Sequence, residues 1–293
     1  MENEIILKKL IDRIALNNKA GLACYFRRIE VLFPIILQKM KINKEVSIPL
    51  FFGGRMNVIT GELVSAFLIN FSYSETALTA LMLKLISKDN VILDIGTHFG
   101  YEALLSSKLV GENGSVICFE PNPAAFQIAS KNFKRKSNIR LINSAIGDFD
   151  GTIKMQNRPI AESAFNSISV DNNGKNLIDV SIVTLDNQFK DRNYQINYIK
   201  CDVEGFELEV LKGGTRILKE DKPILVLEVD MPTENEGSNK RADELTEFLS
   251  KFDYEGYSFD FKNQNLVIDK LNSFKVPHAN VLFVHKTKTS LLL

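Results

Sequence analysis

Carboxylates follow two apolar runs in the second half of the chain. Asp202 and Glu204 come after Tyr198–Cys201, and Glu228 comes after Ile224–Leu227. Short apolar runs of this kind indicate strands buried in a parallel sheet, and ligands bind at the carboxyl ends of such strands. Because two neighbouring carboxylates raise the pKa of one of them, Asp202 and Glu204 can supply a general base. We predict that at least one of the two is catalytic and takes a proton from a substrate hydroxyl.

Other roles for these carboxylates stay open on sequence grounds. Asp202 could hold the cofactor instead, and Glu204 could be a helix N-terminal carboxylate. His98 is a second candidate base, because it is the histidine that falls near the predicted cleft. Asp202 and Glu228 could also ligate a metal ion, but no third ligand is evident, so we predict no metal site.

A turn that contains two glycines precedes these elements. The apolar run Val91–Leu93 leads into the segment Asp94-Ile-Gly-Thr-His-Phe-Gly-Tyr101, and the apolar residues after it follow helical spacing. A strand, a glycine turn and a helix in this order form the nucleotide-binding turn of α/β proteins. A dinucleotide fingerprint would place glycine at positions 98 and 101, where this chain has histidine and tyrosine. The turn therefore disfavours a nicotinamide-dependent dehydrogenase.

The residues of this turn favour a cofactor without phosphate groups. Gly96 and Gly100 let the backbone bend tightly and approach a ligand closely. Asp94, at the strand end, suits a cationic ammonium better than a phosphate. S-adenosylmethionine carries an adenosine, an ammonium and a sulfonium. We therefore predict it as the cofactor, bound by Asp94, Gly96, His98, Gly100 and Tyr101.

Two further strand ends complete the predicted cofactor site. Glu120 follows the apolar run Ser115–Phe119, which is the position where α/β proteins hold a ribose diol. The alternative is a surface carboxylate that caps the next helix. We place Asn122 of the same loop among the cofactor ligands. Ser144 and Ala145 follow the third predicted strand, and we expect them beside the adenine.

Several motifs, in this order and spacing, resemble the FkbM-type methyltransferases. The matching segments are Asp94–Tyr101, Phe119–Pro123, Ala145–Asp148, Thr184–Asp186, Lys200–Gly213, Pro223–Glu228 and Asn280–Val284. The resemblance covers about residues 48–285 and implies an S-adenosylmethionine-dependent O-methyltransferase acting on hydroxyls of secondary metabolites and sugars. One departure is His98, where many members carry a small amide. The alternative is a noncatalytic or scaffold domain of the same fold, which the presence of all the acidic motif residues disfavours.

Strands and helices alternate through residue 143, which predicts a parallel sheet. The resemblance implies an α/β fold with a Rossmann-like class I methyltransferase sheet and helices on both faces. We predict three regions. An N-terminal helical extension covers 1–45, a strand pair within 46–73 and the entry helix that follows it cover 46–88, and the S-adenosylmethionine-dependent methyltransferase domain covers 89–293. Residues 156–179 form a long polar loop, which predicts a mobile lid over the acceptor, separate from the cofactor site.

Composition limits the partners and the location. The chain has 293 residues and a formal net charge of +0, which argues against a nucleic-acid partner bound through a basic face. Its three cysteines show no metal-type spacing, and its N-terminus lacks the apolar core of a signal peptide, so we expect a cytoplasmic protein. The basic, amphipathic residues 1–45 could touch a membrane surface, but we favour packing on the body of the protein or on a second subunit of a homo-oligomer. The expected second substrate is a small molecule or a glycan.

Overall fold

The computed structural model describes residues 2–19, 40, 43–165, 167–168, 176–229, 240–271 and 279–292. The second half of the predicted N-terminal extension and part of the predicted lid lie outside these residues. The helices are α1 Glu2–Lys19, α2 Leu63–Phe71, α3 Thr76–Leu85, α4 Tyr101–Val110, α5 Pro123–Phe133, α6 Leu185–Gln188, α7 Glu207–Lys212, α8 Thr215–Glu220 and α9 Lys240–Ser250, with 3₁₀ helices at Ile160–Phe165 and Lys286–Leu292. The strands are β1 Glu45–Pro49, β2 Arg55–Ile59, β3 Val91–Ile95, β4 Ser115–Phe119, β5 Ile139–Ile142, β6 Ala145–Gly147, β7 Gly151–Gln156, β8 Leu177–Thr184, β9 Tyr198–Cys201, β10 Ile224–Val229, β11 Tyr254–Lys262, β12 Asn265–Lys270 and β13 Ala279–His285.

One sheet of eight strands carries the core, in the order β12-β11-β13-β10-β9-β3-β4-β5. The five strands from β10 to β5 are parallel, and β13 joins β10 in the antiparallel direction. The predicted parallel sheet is therefore confirmed. Because parallel strands end at the same edge, the carboxyl ends of β3, β4, β9 and β10 lie together.

Apolar side chains leave both faces of this sheet, which explains the helices on either side. On β3, Ile92 joins one buried cluster, to which α3, α4 and α5 contribute. Leu93 and Ile95 join a second cluster with residues of α7, α8 and α9. All four residues of β9 are buried. The alternation of neighbouring residues between two cores is what a strand buried on both faces requires.

The segment before the main sheet differs from its prediction in one element. β1 and β2 form the expected antiparallel pair. Val64–Phe71, which we had placed within the strand-pair region, is helical and belongs to α2. The carboxylate of Glu62 caps this helix by accepting hydrogen bonds from Val64 N at 2.8 Å and Ser65 N at 2.6 Å. A glutamate in this capping role is uncommon, which explains why the sequence did not indicate the helix start.

α1 packs on the body of the protein, which is one of the arrangements that we favoured over contact with a membrane. The Asn3 amide donates hydrogen bonds to the carbonyls of Leu83 and Ile86 at the end of α3. Arg13 donates to the Ser72 hydroxyl at 2.9 Å. Among the described helices, none has both the length and the apolar content that a membrane span needs.

Two smaller elements were not predicted. β12 forms a hairpin with β11 at one edge of the main sheet. Ala145 begins the short strand β6 rather than lying in a loop, and β6, β8 and β7 form a separate three-stranded sheet. β7 and β8 themselves agree with the two short strands predicted around the polar loop. This second sheet forms one wall of the site described next.

Candidate active site

A cavity of about 1060 Å³ opens at the carboxyl ends of β3, β4 and β9. Most of the predicted site residues line it, namely Gly96, His98, Gly100, Tyr101, Glu120, Ser144, Ala145, Asp202 and Glu204. Asp94 and Asn122 do not. This volume includes space at the mouth of the cavity that is open to solvent.

The turn after β3 brings the backbone close to the loop after β9. Gly96 has φ +82°, and a Cβ atom there would lie 1.8 Å from the backbone oxygen of Asp202. Gly100 has φ +92°, and its Cβ would lie 2.2 Å from the ring of Phe133. Any other residue would be strained at this positive φ, and its Cβ atom would overlap these neighbours. The turn therefore requires glycine at both positions.

Asp94 faces the protein interior instead of the cavity. Its side chain is buried, and its Oδ2 accepts a hydrogen bond of 2.5 Å from the Thr97 hydroxyl. Burial raises its pKa. Its carboxylate lies in the turn, as expected, but Asp94 is not among the residues that line the cavity, and its contact with an ammonium group stays a prediction. Its role in the structure is to tie the end of β3 to the turn.

Glu120 lies where a ribose-binding carboxylate is expected. The residue is 6% exposed, and its two carboxylate oxygens accept hydrogen bonds from His98 N and Asn122 N, both at 2.8 Å. Burial raises its pKa to about 7, although the two backbone hydrogen bonds oppose that rise. The side chain is therefore held rigidly at the cavity wall, with its charge only partly stabilised by the protein.

The side chains of Asn122 and Ser144 form hydrogen bonds with the protein backbone. The Asn122 amide oxygen accepts from Ala124 N and Ala125 N, which caps α5. The Ser144 hydroxyl lies within hydrogen-bond distance of the carbonyls of Ala145 and Ser181. Ser144 still lines the cavity, beside Ala145, where its oxygen can accept a further hydrogen bond. Asn122 can act on a ligand only by shaping the Glu120 loop.

The side chains of His98 and Tyr101 are bulky, and the imidazole of His98 is also held by a hydrogen bond. The His98 ring stacks on Phe99 with ring centroids 3.8 Å apart, and its Nε2 lies 2.8 Å from the hydroxyl oxygen of Ser163. Burial lowers its pKa. The Tyr101 hydroxyl is buried 3.2 Å from that of Thr79, and burial raises its pKa. Neither side chain leaves room for a pyrophosphate at this turn.

An ion pair joins β9 to the loop that follows it. The ammonium of Lys200, which is 5% exposed, hydrogen bonds the carboxylate of Asp202, whose side chain is 27% exposed. Burial alone would raise the pKa of Asp202, but the charge of Lys200 and hydrogen bonds from Glu228 and Lys200 outweigh it and lower that pKa. Burial, together with the hydrogen bond and charge of Asp202, raises the pKa of Glu228. These opposite shifts favour the charge on Asp202 and the proton on Glu228.

Asp202 has a second carboxylate neighbour besides the predicted one. Oxygen atoms of Asp202 and Glu204 lie within 4.8 Å of each other, and Glu228 on the neighbouring strand lies within the same distance and also hydrogen bonds Asp202. Glu204 has φ +55° and also lines the cavity. The spacing of the three carboxylates could hold a metal ion, and Glu204 would then be the third ligand that the sequence analysis did not identify.

Three cavity residues were missed from the sequence. Burial opposes the charge of Lys200, but Asp202, Glu102 and Glu75 outweigh it and raise its pKa well above the usual value. Glu75 and Glu102 line the same end of the cavity. Burial also raises the pKa of Glu102. The sequence could have indicated Lys200, since it is the charged residue within the apolar run Tyr198–Cys201. It offers no comparable indication for Glu75 and Glu102.

Known proteins match parts of this chain. The hexuronic acid methyltransferase AglP of Haloferax volcanii is 28% identical over 150 residues, which are 50% of this chain and 59% of that protein. The chain thus spans less than two thirds of the length of that relative. The structure of methyltransferase FkbM from Methylobacillus flagellatus KT overlaps with a TM-score of 0.45 at 18% identity, over 68% of this chain and 44% of that one. Aeropyrum pernix fibrillarin in complex with S-adenosyl-L-methionine overlaps with a TM-score of 0.44 at 15% identity, over 71% and 74% of the two chains.

The match that assigns the chain to a family covers its central part. The profile described as the methyltransferase FkbM domain matches residues 94–259, more than half of the chain. That range begins at the glycine turn after β3, includes both carboxylate-bearing strand ends, and ends within β11. The parallel sheet with an antiparallel β13 and helices on both faces is the Rossmann-like class I methyltransferase fold. This chain therefore belongs to the methyltransferase FkbM family.

Proposed function

We propose that this chain is an S-adenosylmethionine-dependent O-methyltransferase that acts on a hydroxyl group of a glycan or a secondary metabolite. The observation that carries the proposal is the continuity of one cavity. Its lining includes Glu120 after β4 at one side, Asp202 and Glu204 after β9 at the other, and the glycine turn after β3 between them. A cofactor that spans these two sides would have its adenosine at the first and its reacting end at the second.

The residues at the first side fit an adenosine. A carboxylate offers about four lone-pair positions. Two of those on Glu120 are used by the amides of His98 and Asn122, which leaves two for the hydroxyls of a ribose. Ala145 is small, and Ser144 can accept a hydrogen bond from an exocyclic amine. These contacts suit a nucleoside, and the bulk of His98 and Tyr101 disfavours a dinucleotide.

The residues at the second side fit transfer to an alcohol. S-adenosylmethionine, when bound, supplies a methyl group on a sulfonium. Glu204 lines the cavity as a carboxylate and is our candidate to accept the proton of the acceptor hydroxyl. Asp202 stays ionised because Lys200 holds it, so it can attract the cationic part of the cofactor. Glu228 keeps its proton and reduces the repulsion within the group.

The nature of the acceptor rests on the relative. AglP is named as a hexuronic acid methyltransferase, which favours a sugar acceptor for this chain too. A sugar offers hydroxyls that need a base, in agreement with the carboxylates at this end of the cavity. A uronic acid also offers a carboxylate, where methylation would give an ester instead of an ether.

Transfer of a labelled methyl group tests the proposal. Purified protein is incubated with methyl-labelled S-adenosylmethionine and matched neutral, amino and uronic sugars, with and without a divalent cation. We expect label in a product that survives mild base, since ethers resist it and esters do not. Glu204→Gln should abolish most of this transfer, whereas Glu209→Gln, a carboxylate outside the cavity, should not.

Binding measurements separate this function from the alternatives. Titration calorimetry should show binding of S-adenosylmethionine and S-adenosylhomocysteine and none of NAD. Binding of NAD without binding of S-adenosylmethionine would contradict the cofactor assignment. Cofactor binding without transfer to any acceptor from the source cells would favour a noncatalytic domain.

A further inference from the structure

The segment 157–165, which we call the strap, contributes Ser163 to the lining of the cavity next to the cofactor turn. It leaves β7 at a hydrogen-bonded base, where Gln156 N donates to Ser167 O and Asn157 N donates to Asn176 O, both at 2.9 Å. Met155 and Ile168 form a β-bridge at the same point and line the cavity. The strap therefore starts from a base that hydrogen bonds hold in place.

Within the described part of the chain, a side-chain hydrogen bond connects the strap with the turn after β3. Ser163 is 5% exposed, and its hydroxyl donates to Ile160 O at 2.8 Å. A serine hydroxyl has one hydrogen, so the oxygen must accept from His98 Nε2, which lies 2.8 Å away. The imidazole is therefore in the tautomer with its hydrogen on Nε2. The amide of Asn122 adds a longer contact of 3.4 Å to Asn157.

His98 connects the strap with the expected cofactor site. Its backbone amide donates to Glu120 Oε2, and its ring is held by stacking on Phe99. The same residue thus joins the strap, the glycine turn and the carboxylate expected to hold the ribose. An amide side chain at position 98, which is shorter than imidazole, would not span the same distance to Ser163.

We propose that Ser163 is a positioning residue for the cofactor, which fixes the imidazole of His98 and thereby holds the strap across the cavity. The inference rests on the proposed cofactor and goes beyond it. It also revises our expectation for 156–179, because the described part of that loop contacts the cofactor turn and does not serve the acceptor alone. Entry and exit of the cofactor then require the Ser163–His98 hydrogen bond to break.

The proposed hydrogen bond should affect the rates of cofactor binding in a way that an ordinary contact in the cavity wall would not. Both partners of the bond are protein groups, so the bond stabilises the closed strap whether or not the cofactor is bound. Removing it should speed opening in both states. We therefore expect the association and dissociation rate constants to rise by a similar factor, while the dissociation constant changes little. One neutral hydrogen bond corresponds to a factor of about five to tenfold.

Surface plasmon resonance with immobilised protein and S-adenosylhomocysteine as the probe measures both rate constants. Ser163→Ala should raise each by about five- to tenfold and leave the dissociation constant within about twofold. Ser163→Thr retains the hydroxyl and should restore the original rates. Glu162→Ala, in the same 3₁₀ helix but paired with the exposed Arg158, is the matched control and should change neither rate constant.

A second variant tests the coupling with the imidazole. If both side chains act through one bond, His98→Ala combined with Ser163→Ala should accelerate the rates no more than His98→Ala alone. Unchanged rates in Ser163→Ala, or faster dissociation without faster association, would overturn the proposal and leave Ser163 as part of the cavity wall. Failure of the unmodified protein to bind S-adenosylhomocysteine would instead overturn the proposed cofactor.

Discussion

Replacement of Glu120 by glutamine should change stability and cofactor affinity in opposite directions as the pH rises. The side chain is buried, and its pKa is raised from 4.5 to about 7. At 1.36 kcal/mol per pKa unit, this difference corresponds to about 3 kcal/mol. Because the pKa is higher in the folded state, the associated stability is fully present below about pH 4.5. It is lost as the pH rises to about 7 and beyond.

The glutamine variant lacks this titration. Its amide can accept only one of the two backbone hydrogen bonds now made by Glu120, which costs about 1–3 kcal/mol at every pH. We expect the variant to be less stable than the original protein at pH 5. From pH 5 to pH 8 the difference should move by about 3 kcal/mol in favour of the variant. Urea unfolding at a series of pH values measures the free energy of unfolding of both proteins.

Cofactor affinity should show the reverse trend. Ribose hydroxyls donate to the ionised carboxylate, so binding favours the charged form of Glu120. With a pKa near 7 in the free protein, the dissociation constant for S-adenosylhomocysteine should fall about tenfold between pH 6 and pH 8. Glu120→Gln should remove this slope and weaken binding at pH 8 by about 1.5–3 kcal/mol. The difference between the two proteins cancels any titration of the ligand itself.

Glu207 provides a matched control. It is also buried, its carboxylate also accepts two backbone hydrogen bonds, from Val203 N and Gly205 N, and its pKa is also raised to about 7 by burial. It does not line the main cavity. Glu207→Gln should therefore change the pH dependence of stability in the same way and keep the pH slope of affinity. An affinity slope that survives in Glu120→Gln would refute the ribose contact.

Three further substitutions test the opposite side of the cavity and the turn. Glu204→Gln should slow methyl transfer by about 10²–10⁴ with cofactor binding nearly intact, and an unchanged rate at every pH would exclude Glu204 as the base. Lys200→Met should destabilise the protein at pH 7 by about 1.5–3 kcal/mol, because it removes a charge-assisted hydrogen bond from the partly buried Asp202; urea unfolding measures this loss. Gly96→Ala should cost about 3 kcal/mol or more through overlap with the Asp202 backbone, whereas Gly53→Ala, with open space around its Cβ and φ +99°, should cost only about 1–2 kcal/mol.

The parts of the fold that sequence predicted are those that periodicity determines. Apolar runs of three to five residues predicted β3, β4, β9 and β10, since strands buried on both faces have few polar positions. Strict alternation with helices then required a parallel sheet, and a parallel sheet places its carboxyl ends together. The glycine turn was visible because two positions there tolerate no other residue. These features depend on neighbours along the chain, so they can be derived without coordinates.

The details of the site depend on neighbours across the sheet. β9 lies between β3 and β10, with Cys201 opposite Leu227, so Asp202 and Glu228 follow paired residues and their side chains meet. Nothing in the linear order separates that pairing from one between Asp202 and Glu204. The hydrogen bond from Thr97 to the Asp94 carboxylate inside the turn was likewise not predicted. Periodicity gives the strand end but not the direction of the side chain there.

The charges of the cavity explain why so many unfavourable carboxylates persist in it. Glu75, Glu102, Asp202 and Glu204 line the cavity, and among the described lining residues Lys200 is the cation that faces them. Burial raises the pKa of Glu102, so its charge is less favourable in the folded protein than in the unfolded chain. The proposed cofactor carries a sulfonium and an ammonium, and this positive charge would offset that loss on binding. Neutralising Glu102 should therefore raise the free energy of unfolding at neutral pH while it lowers cofactor affinity, whereas neutralising Asp202 should lower stability, because Lys200 would lose its partner.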